Sequence, residues 1–314
     1  MTATFLQQVE DYIALRRGLG ARLRHQGTLL LSFARFLDAS GHRGPITTEL
    51  VLRWAQTPRA KQPAQTARRV SAIRAFLRHR AGFDPATEVP PAQLLGCGFR
   101  RRPPHIYSPS EVQALLAACA DLWPRRGLRP LTYRTLLSLL FATGLRISEA
   151  LGLDDADVDL ANGIITVRHG KLGRSRLVPL HPTAIAPLRR YVADRDRVAP
   201  TPPAYFRTER HARLSYTAVR MTFGLLRRRL GWTAQGRARR PRLHDARHTF
   251  AVACLVQWYR EGIHPDRRIA HLATYLGHVE VRDTYWYLSA VPELCTLAAG
   301  RFERFVHGTR EARR

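Results

Sequence analysis

The sequence contains almost no lysine, although it is strongly basic. Of its 51 Lys and Arg residues only Lys61 and Lys171 are lysines, so arginine carries nearly all of the positive charge. Such a bias is typical of a G+C-rich genome, whose codons fill basic positions with arginine. Lys171 is therefore unexpected, because it lies between two glycines in the arginine-rich stretch VRHGKLGRSR, which begins at Val167.

Cysteines and long apolar runs are also scarce. Cys97, Cys119, Cys254 and Cys295 lie far apart, without a CxxC pair or a histidine at zinc-finger spacing. This pattern predicts neither a disulfide framework nor a structural metal site. No apolar run approaches the roughly 20 residues of a membrane-spanning helix. The N-terminus turns polar by Gln7, so we expect no signal peptide and a soluble, cytoplasmic protein.

Acidic residues are few relative to the basic ones. The sequence has 24 Asp and Glu, a formal net charge of +27 and a pI near 11.4. Such an excess predicts a polyanionic partner, which for a folded protein of 314 residues means nucleic acid. A merely arginine-rich or ribosome-associated protein is the alternative. Residues 1–106 have 17 basic against 6 acidic residues and the remainder has 34 against 18, so we expect both halves to contact phosphates.

The first 95 residues predict a helical domain. Four stretches repeat apolar residues at helical spacing, and Thr47 is placed to cap the third predicted helix. The stripes consist of Phe5, Val9, Tyr12 and Ile13; Leu29, Phe33, Phe36 and Leu37; Leu50, Val51 and Trp54; and Val70, Ile73, Phe76 and Leu77. Residues 96–107, with three arginines and two consecutive prolines, predict an extended linker.

A second domain is expected from residue 108 to residue 306, followed by a basic tail at 307–314. Ser108, Pro109 and Glu111 form a helix-starting capping box. The patterns predict a mainly α fold with a small antiparallel β-sheet and with Lys171 at a hairpin tip. The expected helices are 109–122, 129–142, 215–230, 244–261, 266–276, a short segment through Tyr287, and 292–306; the expected strands are 156–160, 163–168 and 176–180.

Four short stretches concentrate residues suited to phosphate chemistry. Each has an ordinary explanation on its own, because an arginine is often a solvated charge and an aromatic cluster is usually part of a core. Together they form a more specific pattern. They are ATGLRISEAL with Arg146, the hairpin with Lys171, RLHDARHTF with His244 and Arg247, and LGH with His278 followed nine residues later by Tyr287.

In order and spacing, these stretches resemble the signature of the tyrosine recombinase (phage integrase) family, including its Xer-like members. That signature has an Arg in a TGLRxSE-type box, a hairpin Lys, an HxxR box, an LGH box and a Tyr nine residues after the His of that box. The resemblance covers essentially the whole chain. It implies an N-terminal core-binding (SAM-like) domain over 1–95 and a catalytic domain over 108–306, which would clamp a DNA duplex from opposite sides.

The resemblance also implies roles for the residues that match the signature. Tyr287 would attack a DNA phosphodiester and form a 3′-phosphotyrosine bond, which conserves bond energy without ATP. Arg146 and Arg247 would bind the phosphate oxygens. His244 would exchange a proton with Tyr287, and His278 would donate to a phosphate oxygen.

Lys171 would protonate the departing 5′ oxygen in this scheme. An arginine donates poorly because its pKa exceeds about 12, whereas nearby cations lower the pKa of a lysine toward neutrality. No cofactor or metal is expected, because the arginines take the role of Mg²⁺ and no acidic cluster suited to holding one is present. The expected assembly is two dimers, a homotetramer on paired DNA sites that passes through a Holliday junction, with or without partner recombinases.

Two departures from the family pattern qualify this interpretation. Ala246 takes the place of the usual leucine in the second box, which is a minor change. The residues after the tyrosine, Leu288 to Pro292, differ from the usual ending of a chromosome-dimer resolvase, and this favours a mobile-element integrase or transposase. The last helix, with Leu294 and Phe302 among its apolar residues, is expected to pack either on its own domain or on a neighbouring protomer.

Two other functions compete with recombination. A type IB topoisomerase uses the same chemistry as a monomer to relax DNA. A catalytically idle, site-specific DNA-binding accessory protein would need none of the chemistry. The complete set of matching residues argues against the idle protein, because loss of activity tends to remove one of them.

Overall fold

The structure is a computed structural model in which the chain forms two compact units, Met1–Arg101 and Arg102–Arg314. Each unit has an apolar core of its own. Within the described part of the chain, no helix is long and apolar enough to cross a membrane. The described residues are 4–57, 63–96, 103–168, 175–199, 203–233 and 240–287, together with Leu294, Thr296 and Ala299.

The described residues of the first unit form four α-helices, as the sequence predicts. Its core is made by the apolar stripes, with Phe33 and Trp54 in edge-to-face contact at a centroid distance of 5.1 Å. Thr47 caps the third helix by accepting from the backbone N–H of Leu50 at 3.4 Å, which confirms the predicted cap. The helices are α1 (Phe5–Gly18), α2 (Arg24–Ala39), α3 (Thr48–Gln56) and α4 (Pro63–Ala81).

A carboxylate of α2 fixes the start of α1. Asp38 accepts from the backbone N–H groups of Phe5 at 3.1 Å and Leu6 at 3.0 Å. The first N–H groups of a helix lack partners within the helix, and its positive end attracts a negative charge. Asp38 therefore fixes the position of α1 relative to α2. The apolar stripes of the two helices alone do not specify that position.

The second unit contains eight helices and a three-stranded sheet within the described residues. Its first helix begins with the predicted capping box, in which Ser108 Oγ accepts from Glu111 N at 3.1 Å. The elements are α5 (Pro109–Ala118), α6 (Leu128–Thr143), α7 (Ile147–Gly152), β1 (Val158–Asp159), β2 (Ile164–Val167), β3 (Arg176–Pro179), α8 (Pro182–Val198), α9 (Tyr216–Arg229), α10 (Asp245–Arg260), α11 (Ile269–Leu276) and α12 (Arg282–Tyr285).

The sheet is antiparallel in the order β1-β2-β3, which confirms the predicted arrangement with strands shorter than expected. Ile165 of β2 pairs with Val178 of β3, and both side chains are buried in the core. Each alternates with less buried neighbours along its strand, and this alternation sets which face of the hairpin meets the helices. Lys171, in the connection between β2 and β3, lies outside the described residues.

Two helices of the second unit were not among the expected elements. In α8 only Leu188, Tyr191 and Arg195 are buried. Two buried apolar residues in a helix rich in charged residues give too weak a periodic pattern to predict the helix from sequence. α7 has only six residues, which is less than two helical turns and too short for a periodic signal. α7 nevertheless matters for the site, because it directly follows Arg146.

The residues that precede α5 at the start of the second unit pack against α10. Tyr107, which the sequence places in the linker, is buried, and its hydroxyl donates to the carbonyl oxygen of Arg242 at 3.0 Å. Its backbone N–H donates to Thr249 at 3.0 Å. These bonds attach the segment before α5 to the start of α10.

α10 and α11 share a small core with the segment that follows them. Leu255 and Leu276 pack there with Tyr287 and Leu294. Leu294 is thus buried against its own chain, whereas most of the predicted final helix lies outside the described residues. The cluster holds the segment carrying Tyr287 beside the ends of α10 and α11.

Candidate active site

The site is organised around the C-terminal end of α11. The last carbonyl groups of a helix have no partner within the helix, and they attract positive charge. Here three consecutive carbonyl oxygens each accept a hydrogen bond from a different arginine. The pairs are Arg176 with Tyr275 at 2.7 Å, Arg247 with Leu276, and Arg146 with Gly277 at 3.1 Å.

Arg247 is the buried member of this group. Its side chain is only 2% exposed, and Nη1 donates to the carbonyl oxygen of Gly144 at 2.9 Å. Burial, together with the charge of Arg146, lowers the pKa of Arg247 to about 10, so its guanidinium remains protonated at neutral pH. Gly144 ends α6 at a φ of +61°, and a Cβ there would lie 2.6 Å from the ring of Phe250. The turn that presents its carbonyl therefore requires glycine.

Arg146 is held from the opposite side by Glu149. Arg146 Nη1 donates to Glu149 Oε1 at 2.7 Å, and its backbone N–H donates to Oε2 at 2.9 Å. Arg176 donates to the same carboxylate at 3.0 and 2.8 Å. Burial opposes ionisation of this carboxyl, but hydrogen bonds from Arg176 and Arg146 prevail and lower the pKa of Glu149 to about 2. The ionised carboxylate thus fixes both guanidiniums.

Tyr287 lies against these charges. It is 3% exposed and lies close enough to Arg247 and Arg146 for their charges to favour the ionised phenol, and the ring of His278 stacks on its ring at a centroid distance of 6.0 Å. Burial raises the pKa of the Tyr287 phenol, although Arg247 and Arg146 act against the shift. The phenol is therefore protonated at neutral pH and needs a base before it can act as a nucleophile.

Two histidines of the α10 segment lie near Tyr287, and of these only His248 has a ring contact with it among the described residues. The ring of His248 is 5.3 Å from that of Tyr287 and 4.9 Å from that of His244. Partial burial and the charges of Arg247 and Arg242 lower the pKa of His244, so it is neutral at pH 7 and can accept a proton. Burial, with the charge of His244, lowers the pKa of His248 to about 3.

Tyr285, the other tyrosine of the segment, is in different surroundings. It is 43% exposed, and its hydroxyl donates to Asp266 Oδ1 at 3.2 Å. That hydrogen bond, together with the charge of Asp266, raises the pKa of Tyr285. Within the described residues, the hydroxyl of Tyr285 is thus paired with a carboxylate. Tyr287, in contrast, lies beside two arginines that could bind a phosphate.

Five of the six residues singled out from the sequence meet in this region, although they come from distant parts of the chain. They are Arg146 before α7, His244 and Arg247 at the start of α10, His278 after α11, and Tyr287 after α12. The sixth, Lys171, lies outside the described residues. The strand that follows Lys171 nevertheless reaches the site, because Arg176 of β3 bonds to Glu149.

Three further residues of the site were missed by the sequence reasoning. Glu149 could have been found as the acidic residue three positions after Arg146, at the spacing of a helix-start contact. His248 lies one helical turn after His244, which places both on the same face. Arg176 gave no signal, because it is one of 49 arginines and its partner Glu149 is 27 residues away. Among the described residues, no group of three or more His, Cys, Asp or Glu side chains could hold a metal ion.

Comparisons with known proteins identify the family of this chain. A model of the phage integrase family matches residues 106–293. The chain is 42% identical over 308 residues to y4rB of Sinorhizobium fredii (strain NBRC 101917 / NGR234), described as a candidate integrase/recombinase, covering 96% of this chain and 98% of that protein. It is 29% identical over 268 residues to the tyrosine recombinase XerD of Caulobacter vibrioides, covering 82% of each.

Solved structures with the same fold include two recombinases crystallised with DNA. The Tn1549 transposon integrase in complex with a circular intermediate DNA matches with a TM-score of 0.67 at 17% identity, covering 97% of this chain and 100% of that one. The XerH recombinase in a post-cleavage complex with its difH substrate matches with a TM-score of 0.66 at 18% identity, covering 96% and 86%. At these identities the likeness concerns the fold.

Proposed function

The chain belongs to the phage integrase family and is a tyrosine recombinase, and we propose that its Tyr287 is the nucleophile that cleaves and rejoins specific DNA sites. The phenol oxygen of Tyr287 forms a bond to the phosphorus while the bond to the 5′ oxygen breaks. The product is a 3′-phosphotyrosine and a free 5′ hydroxyl. Attack by a 5′ hydroxyl on this linkage reverses the reaction and joins the strand to a new partner.

The proposed roles follow from the protonation states and positions of the side chains. His244, neutral at pH 7, accepts the proton of the Tyr287 phenol. Arg146 and Arg247 bind the non-bridging oxygens, on which negative charge accumulates in the transition state. Each guanidinium has five N–H donors, so their bonds to carbonyl oxygens and Glu149 leave donors for a phosphate. Lys171 protonates the departing 5′ oxygen, and His278 donates to the phosphate.

The observation that carries this proposal is the contact of Tyr287 with Arg247, beside Arg146. A buried phenol that lies beside the charges of Arg247 and Arg146 suits a phosphate that all three groups would contact. A site-specific binding protein gains nothing from burying a tyrosine hydroxyl against two positive charges, whereas a phosphoryl-transfer site requires this combination.

We further propose how the two units share the DNA. The helical residues 1–95 act as the core-binding domain and residues 108–306 as the catalytic domain, joined by a linker over 96–107. Each carries an excess of positive charge, as phosphate contacts from both require. Two dimers on paired sites form the active tetramer and exchange strands through a Holliday junction. The DNA substrate implies action in the cytoplasm.

A role on a mobile DNA element is favoured over chromosome maintenance. The residues after Tyr287 depart from the ending usual in chromosome-dimer resolvases. The relative y4rB is named as an integrase/recombinase and matches along almost its full length, and a transposon integrase shares the fold. Terminal repeats or neighbouring recombinase genes beside the coding sequence would identify the element.

Covalent trapping on nicked DNA tests the proposed function. A duplex selected by the protein from a random-sequence pool is nicked next to the scissile phosphate, so that the cleaved strand diffuses away and the adduct accumulates. The unmodified protein should give a protein–DNA adduct that survives denaturation. Tyr287→Phe should give none, whereas the matched control Tyr285→Phe should retain it. An adduct with Tyr287→Phe would overturn the assignment.

The same substrate separates the competing functions. A DNA-binding protein without catalysis would shift the duplex in a gel but leave no adduct. A type IB topoisomerase would form the adduct and relax supercoiled plasmid without joining two sites. Recombined products from a plasmid carrying two selected sites would support the recombinase.

A further inference from the structure

Thr284 contacts two of the proposed functional residues at once. Its Oγ1 lies 2.7 Å from Nδ1 of His278, and its carbonyl oxygen accepts from the backbone N–H of Tyr287 at 3.0 Å. The residue is 0% exposed. A single buried threonine of α12 thus connects the proposed phosphate donor to the segment that carries the proposed nucleophile.

The burial of Thr284 determines the direction of its hydrogen bond to His278. A hydroxyl group has one proton to donate, and leaving a buried donor without a partner costs about 1–3 kcal/mol. Within the described residues, the acceptor that the Thr284 hydroxyl contacts is Nδ1 of His278. The hydroxyl therefore donates, and Nδ1 accepts through its lone pair. In a neutral imidazole the proton must then be on Nε2.

We propose that Thr284 is a positioning residue that holds His278 as the Nε2–H tautomer, a hydrogen-bond donor without net charge. This inference rests on the proposed function, in which His278 donates to the scissile phosphate. It explains how an imidazole donates to the phosphate at neutral pH without being protonated. Stacking on the Tyr287 ring fixes the plane of the imidazole, and Thr284 fixes which nitrogen carries the proton.

The groups around His278 are largely cationic or ionisable. Arg146 and Arg176 approach the neighbouring Gly277, and the imidazole of His248 interacts with His278 from α10. The ring of Tyr287 stacks on that of His278. A donor that needs no added proton suits this location, because it places no further positive charge beside the two guanidiniums.

The tautomer can be measured without any enzymatic assay. Nitrogen-15 NMR distinguishes a protonated ring nitrogen from a bare one, and the signals of His278 are assigned by comparison with His278→Gln. At pH 8 the unmodified protein should show a protonated Nε2 and a bare Nδ1, and Thr284→Ser should show the same. Thr284→Val, which has the same shape but no hydroxyl, should show a mixture of the two tautomers. A protonated Nδ1 in the unmodified protein would overturn the proposal.

The functional consequence is tested by a double-mutant cycle on the nicked duplex. Thr284→Val should cleave about 10-fold more slowly, the lower end of the effect of losing a residue that orients a functional histidine, while Thr284→Ser stays near the unmodified rate. In a His278→Ala background, the change from Thr284 to Val should alter the rate less than about twofold, because coupled residues are not additive. An equal loss in both backgrounds would mean that Thr284 acts only through the fold.

Failure of this inference differs from failure of the proposed function. If the unmodified protein forms no adduct, the recombinase chemistry fails whatever the tautomer of His278. If it forms the adduct and Thr284→Val cleaves at the unmodified rate, only the role of Thr284 is lost.

Discussion

Arg247 donates from Nη1 to the carbonyl oxygen of Gly144 at 2.9 Å, although 103 residues separate the two in the chain. The bond joins the C-terminal end of α6 to the first turn of α10. A second bond from Arg247 to Leu276 adds the end of α11. One buried guanidinium therefore serves the architecture of the site as well as its proposed chemistry.

Replacing the two site arginines should separate these roles. Arg146→Ala and Arg247→Ala should each slow adduct formation by about 10²-fold or more, the usual cost of removing a preorganised donor to a developing oxyanion. Arg247→Ala should also lower the free energy of unfolding by about 1–3 kcal/mol, because it leaves buried carbonyl groups unpaired. Arg146→Ala should lower it less, because Arg146 is more exposed and Arg176 still pairs with Glu149. Cleavage rates on the nicked duplex and urea denaturation measure the two effects.

DNA affinity provides the control for this pair. Both variants should bind the duplex nearly as tightly as the unmodified protein, because many other arginines remain. Near-normal cleavage by either folded variant would remove that arginine from the proposed phosphate cradle.

Glu149 should make the stability of the second unit dependent on pH. Its pKa in the folded protein is about 2, below the ordinary value of 4.5, so the folded state favours the ionised form. A depressed carboxyl pKa stabilises the protein above the unfolded-state pKa, and this stabilisation is lost as the pH falls toward the folded-state pKa. A shift of this size corresponds to about 3 kcal/mol at pH 7.

Glu149→Gln should therefore lower the free energy of unfolding by about 3 kcal/mol at pH 7. The difference from the unmodified protein should begin to shrink below about pH 4.5 and should be roughly halved by pH 3. Chemical denaturation at a series of pH values measures it. A difference that stays constant down to pH 3 would mean that the variant acts through packing instead of charge.

Lys171→Arg tests the proposed general acid. The variant keeps the positive charge, so a purely electrostatic role predicts near-normal cleavage. A proton-donating role predicts a loss of about 10²–10⁴-fold, because a guanidinium does not release its proton usefully. The measurement is the rate of adduct formation on the nicked duplex.

A changed leaving group distinguishes proton donation from positioning. With sulfur in place of the 5′ bridging oxygen, the departing thiolate needs no proton, and Lys171→Arg should cleave as fast as the unmodified protein. Equal impairment on both substrates would show that Lys171 positions the DNA.

Binding to the selected duplex should weaken steeply with salt. Each neutralised phosphate releases counterions and contributes a slope of roughly −0.9 in a plot of log affinity against log salt concentration. About five or more contacts from both units predict a slope of roughly −4.5 or steeper. Titration by fluorescence anisotropy at several salt concentrations measures it, and a nearly flat dependence would contradict a clamp built from arginines.

Much of the fold could be read from local patterns. The stripe containing Val9 and Tyr12, the cap at Thr47 and the capping box at Ser108 all fall where the structure has them. Local signals fail where an element is defined by its partners. The helix α8 is specified by the burial of Tyr191 and of Arg195, and the sequence pattern does not show that an arginine will be buried.

The sequence by itself determined the family of this protein. The charge of +27 predicted a nucleic-acid partner, and the order and spacing of the four motifs identified the family, because residue type and spacing are properties of the chain. Only the tertiary structure decided how the charges are paired. Three arginines bond to the carbonyl oxygens at the end of α11, and the Glu149 carboxylate joins two of them, Arg146 and Arg176. These contacts connect segments that are distant in the chain. The bond between the Thr284 hydroxyl and His278 lies within a buried turn. The energies of all these contacts depend on burial and on the direction of each hydrogen bond, which no spacing along the chain specifies.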